Sequence, residues 1–384
     1  MRYNIGVVTT TRADYGILTP LLSRMASDND IALYIIVGGT HLSNRFGYTI
    51  SQIKHDNFGE IITFDYLSDE TSVQGVCKSA SKALFCFSEL LNKYSFDMIV
   101  ILGDRYEMLC VAEAACIYHI PIIHLHGGEI TEGAIDDNIR HAITKLSTLH
   151  FAANEIYRKR IIQMGETPDR VFNSGALGIE LINKLKLIPE ELLYKELNIS
   201  KPYILMTYHP ETNNIELNPI DEILTVLNSM IELNEFDYIV TKANADQGGD
   251  EINNILIDFA RKYNNIHLFD SLGSLKYLSA MKYSIAIIGN SSSGIIEAPS
   301  LCVPTVDIGN RQKGRMRADS VVNVSLDKDE IISAIIKVSD EKNRNSFDYT
   351  NPYGDGNASQ IICREMKRYL NNPNKFSKNF YDIV

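Results

Sequence analysis

The sequence predicts an α/β protein of two doubly wound domains facing a cleft, each a parallel sheet with helices on both sides. Three observations predict it. Short Val- and Ile-rich runs alternate with helical patterns through the first half, and the same alternation starts afresh in the second. The length of 384 residues exceeds one ordinary core and suits two domains of about 150–200 residues each. Strands buried on both faces read as continuous β-branched runs, as these do.

In chain order, residues 4–8 read as a strand, 17–25 as an amphipathic helix, 32–37 as a strand and 79–91 as a helix. Residues 97–102 follow as a strand, 107–117 as a helix, 121–125 as a strand and 137–148 as a helix. The second half supplies strands at 203–208, 238–241, 266–269, 284–288 and 305–308, with helices between them. A Gly-containing segment at 174–178 leads into a charged stretch rich in Lys, Glu and Leu. It divides the chain into a first domain over 1–175 and a second over 176–358. A last helix covers about 359–370, and the polar tail beyond it, with Phe376, Phe380 and Tyr381, is expected to pack on a domain surface. No period of 20–50 residues repeats, which argues against a solenoid.

Apolar residues at 45% and charged residues at 22% are the balance of a globular protein. The net charge of −11 argues against a nucleic-acid partner, which needs a basic footprint. A small anion is still accommodated, since a few cations and backbone N–H groups can hold a phosphate. No apolar run approaches the ~20 residues of a membrane helix, and residues 1–8 are too short for a secretory signal. The cysteines at 77, 86, 110, 116, 302 and 363 show no CxxC spacing, so buried reduced thiols are expected rather than disulfides or a metal site. A cytoplasmic enzyme is the resulting expectation.

The strongest motif is residues 284–297, SIAIIGNSSSGIIE. A strand is expected to end at Gly289 and a helix to start near Gly294, so small residues let an anion approach the unpaired N–H groups of the first turn. One serine would serve as a helix cap; three in a row between glycines favour phosphate. Glu297, about one turn into that helix, suits the two hydroxyls of a ribose and equally a simple charge at a helix start. After the next strand, Arg311, Lys313, Arg315 and Arg317 crowd into 311–317. Their place at a strand end, with Gly309 and Gly314, favours a clamp on a nucleotide or diphosphate over a solvated loop.

In the first domain, residues 9–16 (TTTRADYG) form the first turn between strand and helix. The turn lacks GxGxxG and Walker A patterns, so neither NAD nor ATP is signalled; Arg12 would approach phosphates from this side. Asp104 in GDRYE, and His126, Glu129 and Asp136 in the Gly-rich acidic loop 124–137, are titratable groups at neighbouring strand ends. Proton-transfer chemistry needs such groups close together. The pair His124 and His126 lacks a convincing third ligand, so no metal is expected. His209 precedes Pro210 and sits in a loop, and the loop 241–248 offers Asn244 and Asp246.

Together these residues resemble the hydrolysing UDP-N-acetylglucosamine 2-epimerase family, whose enzymes open sialic acid biosynthesis. The resemblance runs through TRADYG at 11–16, GDRYEM at 103–108, HGGE at 126–129, IRHAITKLS at 139–147, YHPET at 208–212, GNSSSG at 289–294 and NRQKGR at 310–315, nearly the whole chain. It implies two Rossmann-like domains in the GT-B arrangement, a dimer or tetramer, and a final helix at about 359–384 packed back on the first domain. It implies a UDP-sugar substrate, UDP as product, and no cofactor, nucleic acid or membrane partner.

The resemblance also assigns roles. Ser291 and Ser292 would hold the diphosphate, with Arg12 and Arg105 reaching it. Glu297 would take the ribose, Arg311 and His209 would line the nucleotide side, and Asn244 matches another position there. Asp104, Glu129 and Asp136 fall in the family's acidic catalytic segments. Several members carry Glu where His126 stands, so Asp104 and Asp136 are first choices for proton transfer, with His126 or Glu129 in the remaining role. The loop 131–136 resembles members acting on the 2,4-diacetamido-6-deoxy analogue, which leaves UDP-N-acetylglucosamine and that sugar both open, and GDP as a minor carrier. The alternatives are a non-hydrolysing epimerase, a GT-B glycosyltransferase, and a nucleotide-sugar sensor, which would not need the acidic cluster.

Overall fold

The computed structural model describes residues 2–383 apart from 69, 71, 133–134, 212–217, 244–247 and 373–377. It divides into two compact units. Unit 1 comprises Met1–Glu129, Asp136–Lys184 and Tyr353–Val384. Its strands are β1 (Tyr3–Thr9), β2 (Ile31–Gly38), β3 (Glu60–Phe64), β4 (Met98–Leu102), β5 (Ile122–Leu125), β6 (Leu149–Ala152) and β7 (Val171–Asn173). All pair in parallel, in the order β3-β2-β1-β4-β5-β6-β7.

Alternate residues of these strands feed two cores, as strands covered on both faces must. Ile5, Val7, Ile35 and Val100 pack with Leu18, Leu21 and Met25 of the helix Arg12–Ala26. Val8, Ile36, Ile99 and Ile101 pack on the other side with Phe87 of Val73–Lys93 and Met108 of Tyr106–Ile117.

The last helix, Ala358–Leu370, closes the first of these cores with Ile362, Met366 and Leu370. Met366 is fully buried, a burial that contributes about 1.5–3 kcal/mol. The helix ends at Leu370 and does not run on to the C-terminus. Of the tail aromatics, Phe376 lies outside the described residues. Phe380 lies against Lys145, and the Tyr381 N–H donates to the Gly165 carbonyl at 2.9 Å. The chain leaves unit 1 after Lys184, beyond the expected boundary at 175. The helix Leu177–Lys184 is retained because Glu180 accepts the backbone N–H and hydroxyl of Ser359.

Unit 2 comprises Ile130–Ile135 and Leu185–Pro352. Its strands are β8 (Tyr203–Thr207), β9 (Asp237–Thr241), β10 (Ile266–Phe269), β11 (Ile287–Gly289), β12 (Thr305–Ile308) and β13 (Val321–Val324), in the order β10-β9-β8-β11-β12-β13. Both sheets reverse direction of strand order once, between β1 and β4 in unit 1 and between β8 and β11 in unit 2. Such reversals open a crevice at the carboxyl ends of the two strands, where ligands of doubly wound folds bind. The segments TRADYG and GDRYEM follow β1 and β4, and YHPET and GNSSSG follow β8 and β11.

Among the described residues, no helix is long and apolar enough to cross a membrane. Cys110 and Cys363 are buried as expected, whereas Cys77, Cys116 and Cys302 are exposed. Cys77 lies on the outward face of an amphipathic helix, Cys116 at an exposed position near the end of the apolar helix Tyr106–Ile117, and Cys302 caps a surface turn.

Candidate active site

In unit 1 the two turns at the reversal are tied together by a buried carboxylate. Glu107, 1% exposed, accepts from the Thr10 hydroxyl and from Arg105 Nε, each at 2.8 Å. Arg105 is thereby held at the start of its helix. Arg12 is exposed at the first position of Arg12–Ala26. Behind it, Thr11 Oγ1 accepts the Asp14 N–H at 3.2 Å and caps that helix. Burial pushes the Asp14 carboxyl up to about 6 against the pull of Arg105, and the charges of Glu107 and Asp104 add to the rise.

Arg140 is the hub of the neighbouring strand ends. It projects from the helix Asp136–Leu146 and is 1% exposed. Its Nε donates to Asp104 Oδ2 at 2.9 Å and its Nη2 donates to the same oxygen. Its Nη1 donates to the Glu129 carbonyl at 2.9 Å and to Asp137 Oδ1 at 3.0 Å. A guanidinium stays charged and, once buried, needs anionic and carbonyl partners; Asp104, Asp137 and Glu129 supply them. Asp136 opens the same helix, where a carboxylate is favoured by the helix dipole.

The loop after β5 is shaped for a histidine and a carboxylate. His126 adopts a left-handed backbone at φ 63°, a conformation that costs a non-glycine residue and gathers at functional sites. Its Nδ1 lies 3.0 Å from Oε1 of Glu129, which is 2% exposed. With an ionised Glu129, Nδ1 is the donor. The opposite nitrogen, Nε2, is buried with no partner among the described residues. Gly127 must lack a side chain, because a Cβ there would stand 2.9 Å from His124 Nδ1.

In unit 2 the equivalent turns are joined by neutral groups. Gly289 has φ 122°, and a Cβ there would collide with the Thr207 carbonyl of β8. Asn290, fully buried, accepts the His209 N–H and donates to the His209 carbonyl, both at 2.7 Å. Its own carbonyl accepts from Gln312 Nε2 at 2.8 Å and Arg311 Nη1 at 3.2 Å. Glu211 Oε1 accepts the backbone N–H groups of Asn310 and Arg311 at 2.6 and 3.1 Å. The segments of His209, Ser291–Ser293 and Arg311 are therefore locked to one another. The hydroxyl of Tyr277 stands among Thr207, Ser293 and Ser291, and burial raises its pKa, so it stays a neutral hydroxyl there.

The comparisons give the family and the fold. A family model described as UDP-N-acetylglucosamine 2-epimerase matches residues 23–367. The chain belongs to that family. It is 44% identical over 327 residues to the GDP/UDP-N,N'-diacetylbacillosamine 2-epimerase (hydrolyzing) of Campylobacter jejuni, covering 84% of each chain. It is 41% identical to polysialic acid biosynthesis protein P7 of Escherichia coli, covering 98% of this chain and 96% of that one. The structure of UDP-GlcNAc 2-epimerase from Neisseria meningitidis bound to UDP-GlcNAc shares the fold, with TM-score 0.80 at 18% identity over 95% of this chain and 100% of that one. The chain is thus an enzyme of the nucleotide-sugar 2-epimerase family with two Rossmann-like parallel-sheet units.

The epimerase structure sorts the sequence-derived candidates. Asp104, Glu129 and His126 are linked through Arg140 and through the His126–Glu129 contact, and Asp136 lies on the helix of Arg140. Ser291, Ser292 and His209 stand at the unit 2 reversal, and Arg311 is anchored there. Asn244 and Asp246 lie outside the described residues. Glu297 ends a one-turn helix, Ser293–Ile296, instead of lying inside a longer one, because Pro299 follows and a 3-10 turn takes over. The cationic run is divided: Arg317 pairs with buried Asp307 at 2.7 Å and Lys313 with Glu132 at 2.9 Å. Arg140, Glu107, Asp14 and Tyr277 were not among the candidates. Arg140 carried one signal, its spacing of four after Asp136 and three after Asp137 on a helix.

Proposed function

We propose that this enzyme hydrolyses a UDP-linked 2-acetamido sugar and inverts C2, releasing UDP and the free manno-configured sugar. The observation that carries the reading is the buried Arg140 linking Asp104 to the loop of Glu129 and His126 at one strand-order reversal. The C2 hydrogen is not acidic, since no carbonyl adjoins it. The C1–O bond therefore breaks first, leaving oxocarbenium character at C1 and the electron pair on UDP. Ser291, Ser292, Tyr277 and Arg311 take the diphosphate. His209 and Asn244 serve the nucleotide side, and Glu297 the ribose.

A carboxylate then removes the C2 proton to give a 2-acetamidoglucal. Water adds its oxygen to C1 while a proton returns to C2 from the opposite face. Asp104 and Asp136 carry the two C2 transfers. His126, oriented by Glu129 through Nδ1, accepts the proton of the attacking water at Nε2. The net change consumes one water and needs no cofactor.

The relatives named for diacetylbacillosamine, at 44% and 34% identity, support UDP-2,4-diacetamido-2,4,6-trideoxyglucose as substrate. The polysialic acid relative at 41% supports UDP-N-acetylglucosamine as the second reading. In either case the product feeds nonulosonic acid synthesis, of the legionaminic or sialic type, in a cytoplasmic homodimer or homotetramer. A panel of UDP and GDP sugars read by release of free sugar decides the substrate. In D2O, deuterium is expected at C2 of the product; a product without it overturns the glucal route.

A further inference from the structure

We infer that His124 is a positioning residue for this reaction, holding the Asp104 turn and the Arg140 helix in register from inside unit 1. The inference rests on the proposed function and adds a residue to it. His124 lies on β5, beside Ile101 of β4 and His150 of β6, and is fully buried. Its Nε2 is 2.8 Å from the Gly103 carbonyl, and its Nδ1 is 3.1 Å from Thr144 Oγ1. A carbonyl only accepts, so Nε2 carries the proton, and Nδ1 faces the Thr144 hydroxyl as an acceptor that shares its one proton with the Arg140 carbonyl. Burial pushes the imidazole down to about 3, against the Gly103 bond; His150 and Arg140 act with burial and Asp104 against it. The ring is therefore neutral, with one tautomer and both nitrogens engaged by protein. It offers none to a metal.

Those two partners are the supports of the site. The Gly103 N–H already donates to the Leu125 carbonyl at 3.0 Å, so β5 grips both polar groups of Gly103, one by its backbone and one by His124. The next residue is Asp104. Thr144 lies one turn beyond Arg140, and its hydroxyl is also 3.0 Å from the Arg140 carbonyl. Arg140 thus holds Asp104 at its carboxylate, while His124 holds the turn beneath Asp104 and the helix beneath Arg140. The loop carrying Glu129 closes over the same ring, since Gly127 has no room for a Cβ against Nδ1 or Thr144 Oγ1. A histidine that merely filled the core would not bond to the peptide of one proposed catalytic residue and to the helix of its partner.

The test uses the full-length enzyme with UDP calorimetry, steady-state kinetics and thermal unfolding on His124→Phe and His124→Gln. Phe fills the space without a donor, while the Gln amide can restore a donor to the Gly103 carbonyl. In the Phe variant kcat is expected to fall by roughly 10–100-fold, the range that an unsatisfied buried acceptor implies. UDP affinity should stay within about twofold, and Gln should recover most of the loss. An unchanged kcat in the Phe variant, or equal losses in Phe and Gln, overturns the inference, as does a parallel loss of UDP affinity.

Should the Phe variant not fold, imidazole nitrogen NMR of the 15N-histidine-labelled wild type decides the geometry at neutral pH. A neutral Nε2–H tautomer supports the inference, and an Nδ1–H tautomer or a charged ring overturns it. Thr144→Val, which removes the Nδ1 partner together with the hydroxyl bond to the Arg140 carbonyl, is then expected to lower kcat severalfold with UDP affinity retained; unchanged kcat counts against the inference. Wild-type release of UDP and free sugar is measured first. Its absence across the sugar panel sinks the proposed function, while the tautomer still reads the His124 geometry.

Discussion

At the reversal of strand order in unit 1, the turns after β1 and β4 are joined by Glu107, and the site beside them by a buried guanidinium. At the equivalent place in unit 2, the turns after β8 and β11 are joined by the Asn290 amide, with Gln312, Arg311 and hydroxyls around it and Glu211 bound to backbone N–H groups. The scaffold is the same and the chemistry is not. Ionised groups packed in a low-dielectric site interact strongly and exchange protons. Amides and hydroxyls hold a backbone rigid and donate to an anion without titrating. The proposed mechanism calls on both abilities, the first for proton transfer at C2 and the second for holding the leaving diphosphate.

The sharpest way to break this comparison is Asp104→Asn. It is expected to lower kcat by roughly 100- to 10,000-fold, the worth of a proton-transfer group, with the dissociation constant for UDP nearly unchanged. Unaltered turnover would remove Asp104 from the chemistry.

His41 offers the next largest effect and tests whether unit 1 depends on neutral buried histidines. It is 1% exposed, bonded to Thr9 and Thr49, and burial holds it at about 4. A folded-state pKa below the unfolded value gives stability that is present above about 6.5 and lost as pH falls toward the folded value. The stability gap between wild type and His41→Gln should therefore shrink by up to about 1.4 kcal/mol per pH unit between 6.5 and 4, by chemical denaturation. A constant gap would contradict it.

In unit 2, Ser291→Ala is expected to weaken UDP binding by roughly tenfold, about 1.4 kcal/mol for a hydrogen bond to a charged group, with smaller change in kcat. Affinity equal to wild type would dissociate the Gly289–Gly294 turn from the diphosphate. The smallest effect is Glu222→Gln. Burial pushes this carboxyl up to about 7, with Glu211 adding and the Tyr208 hydroxyl opposing. A raised folded pKa gives stability present below the unfolded value and lost as pH rises through 7. The Gln variant should thus gain on wild type in thermal midpoint at pH 8 relative to pH 5, by a few degrees for about 1 kcal/mol. A gain that is larger at pH 5 would reverse the sign and refute the assignment.

The central strands were legible because β1, β2, β4 and β8 are apolar over consecutive residues and buried on both faces. The strands β3, β6, β7 and β13 were not among the expected ones. The strand β3 includes exposed Glu60 and Thr63, β13 has only Val321 buried, β6 carries His150, and β7 is three residues long. The candidate residues at strand ends were legible for a local reason: small, titratable or cationic residues cluster where a strand stops. Their partners were not, since Glu107 meets Thr10 across 97 residues and Arg140 meets Asp104 across 36.

By itself, then, the sequence determined where strands end, which chemistry stands there, and the family to which the motifs point, because turns and burial patterns are local properties. Only the tertiary structure decided which ends are neighbours. Strand order sets β4 beside β1 and β5, and that places Glu107 under Thr10, His124 under Gly103 and Arg140 against Asp104. An ion pair or a hydrogen bond acts over about 3 Å, whatever the separation along the chain, and no local pattern encodes that distance.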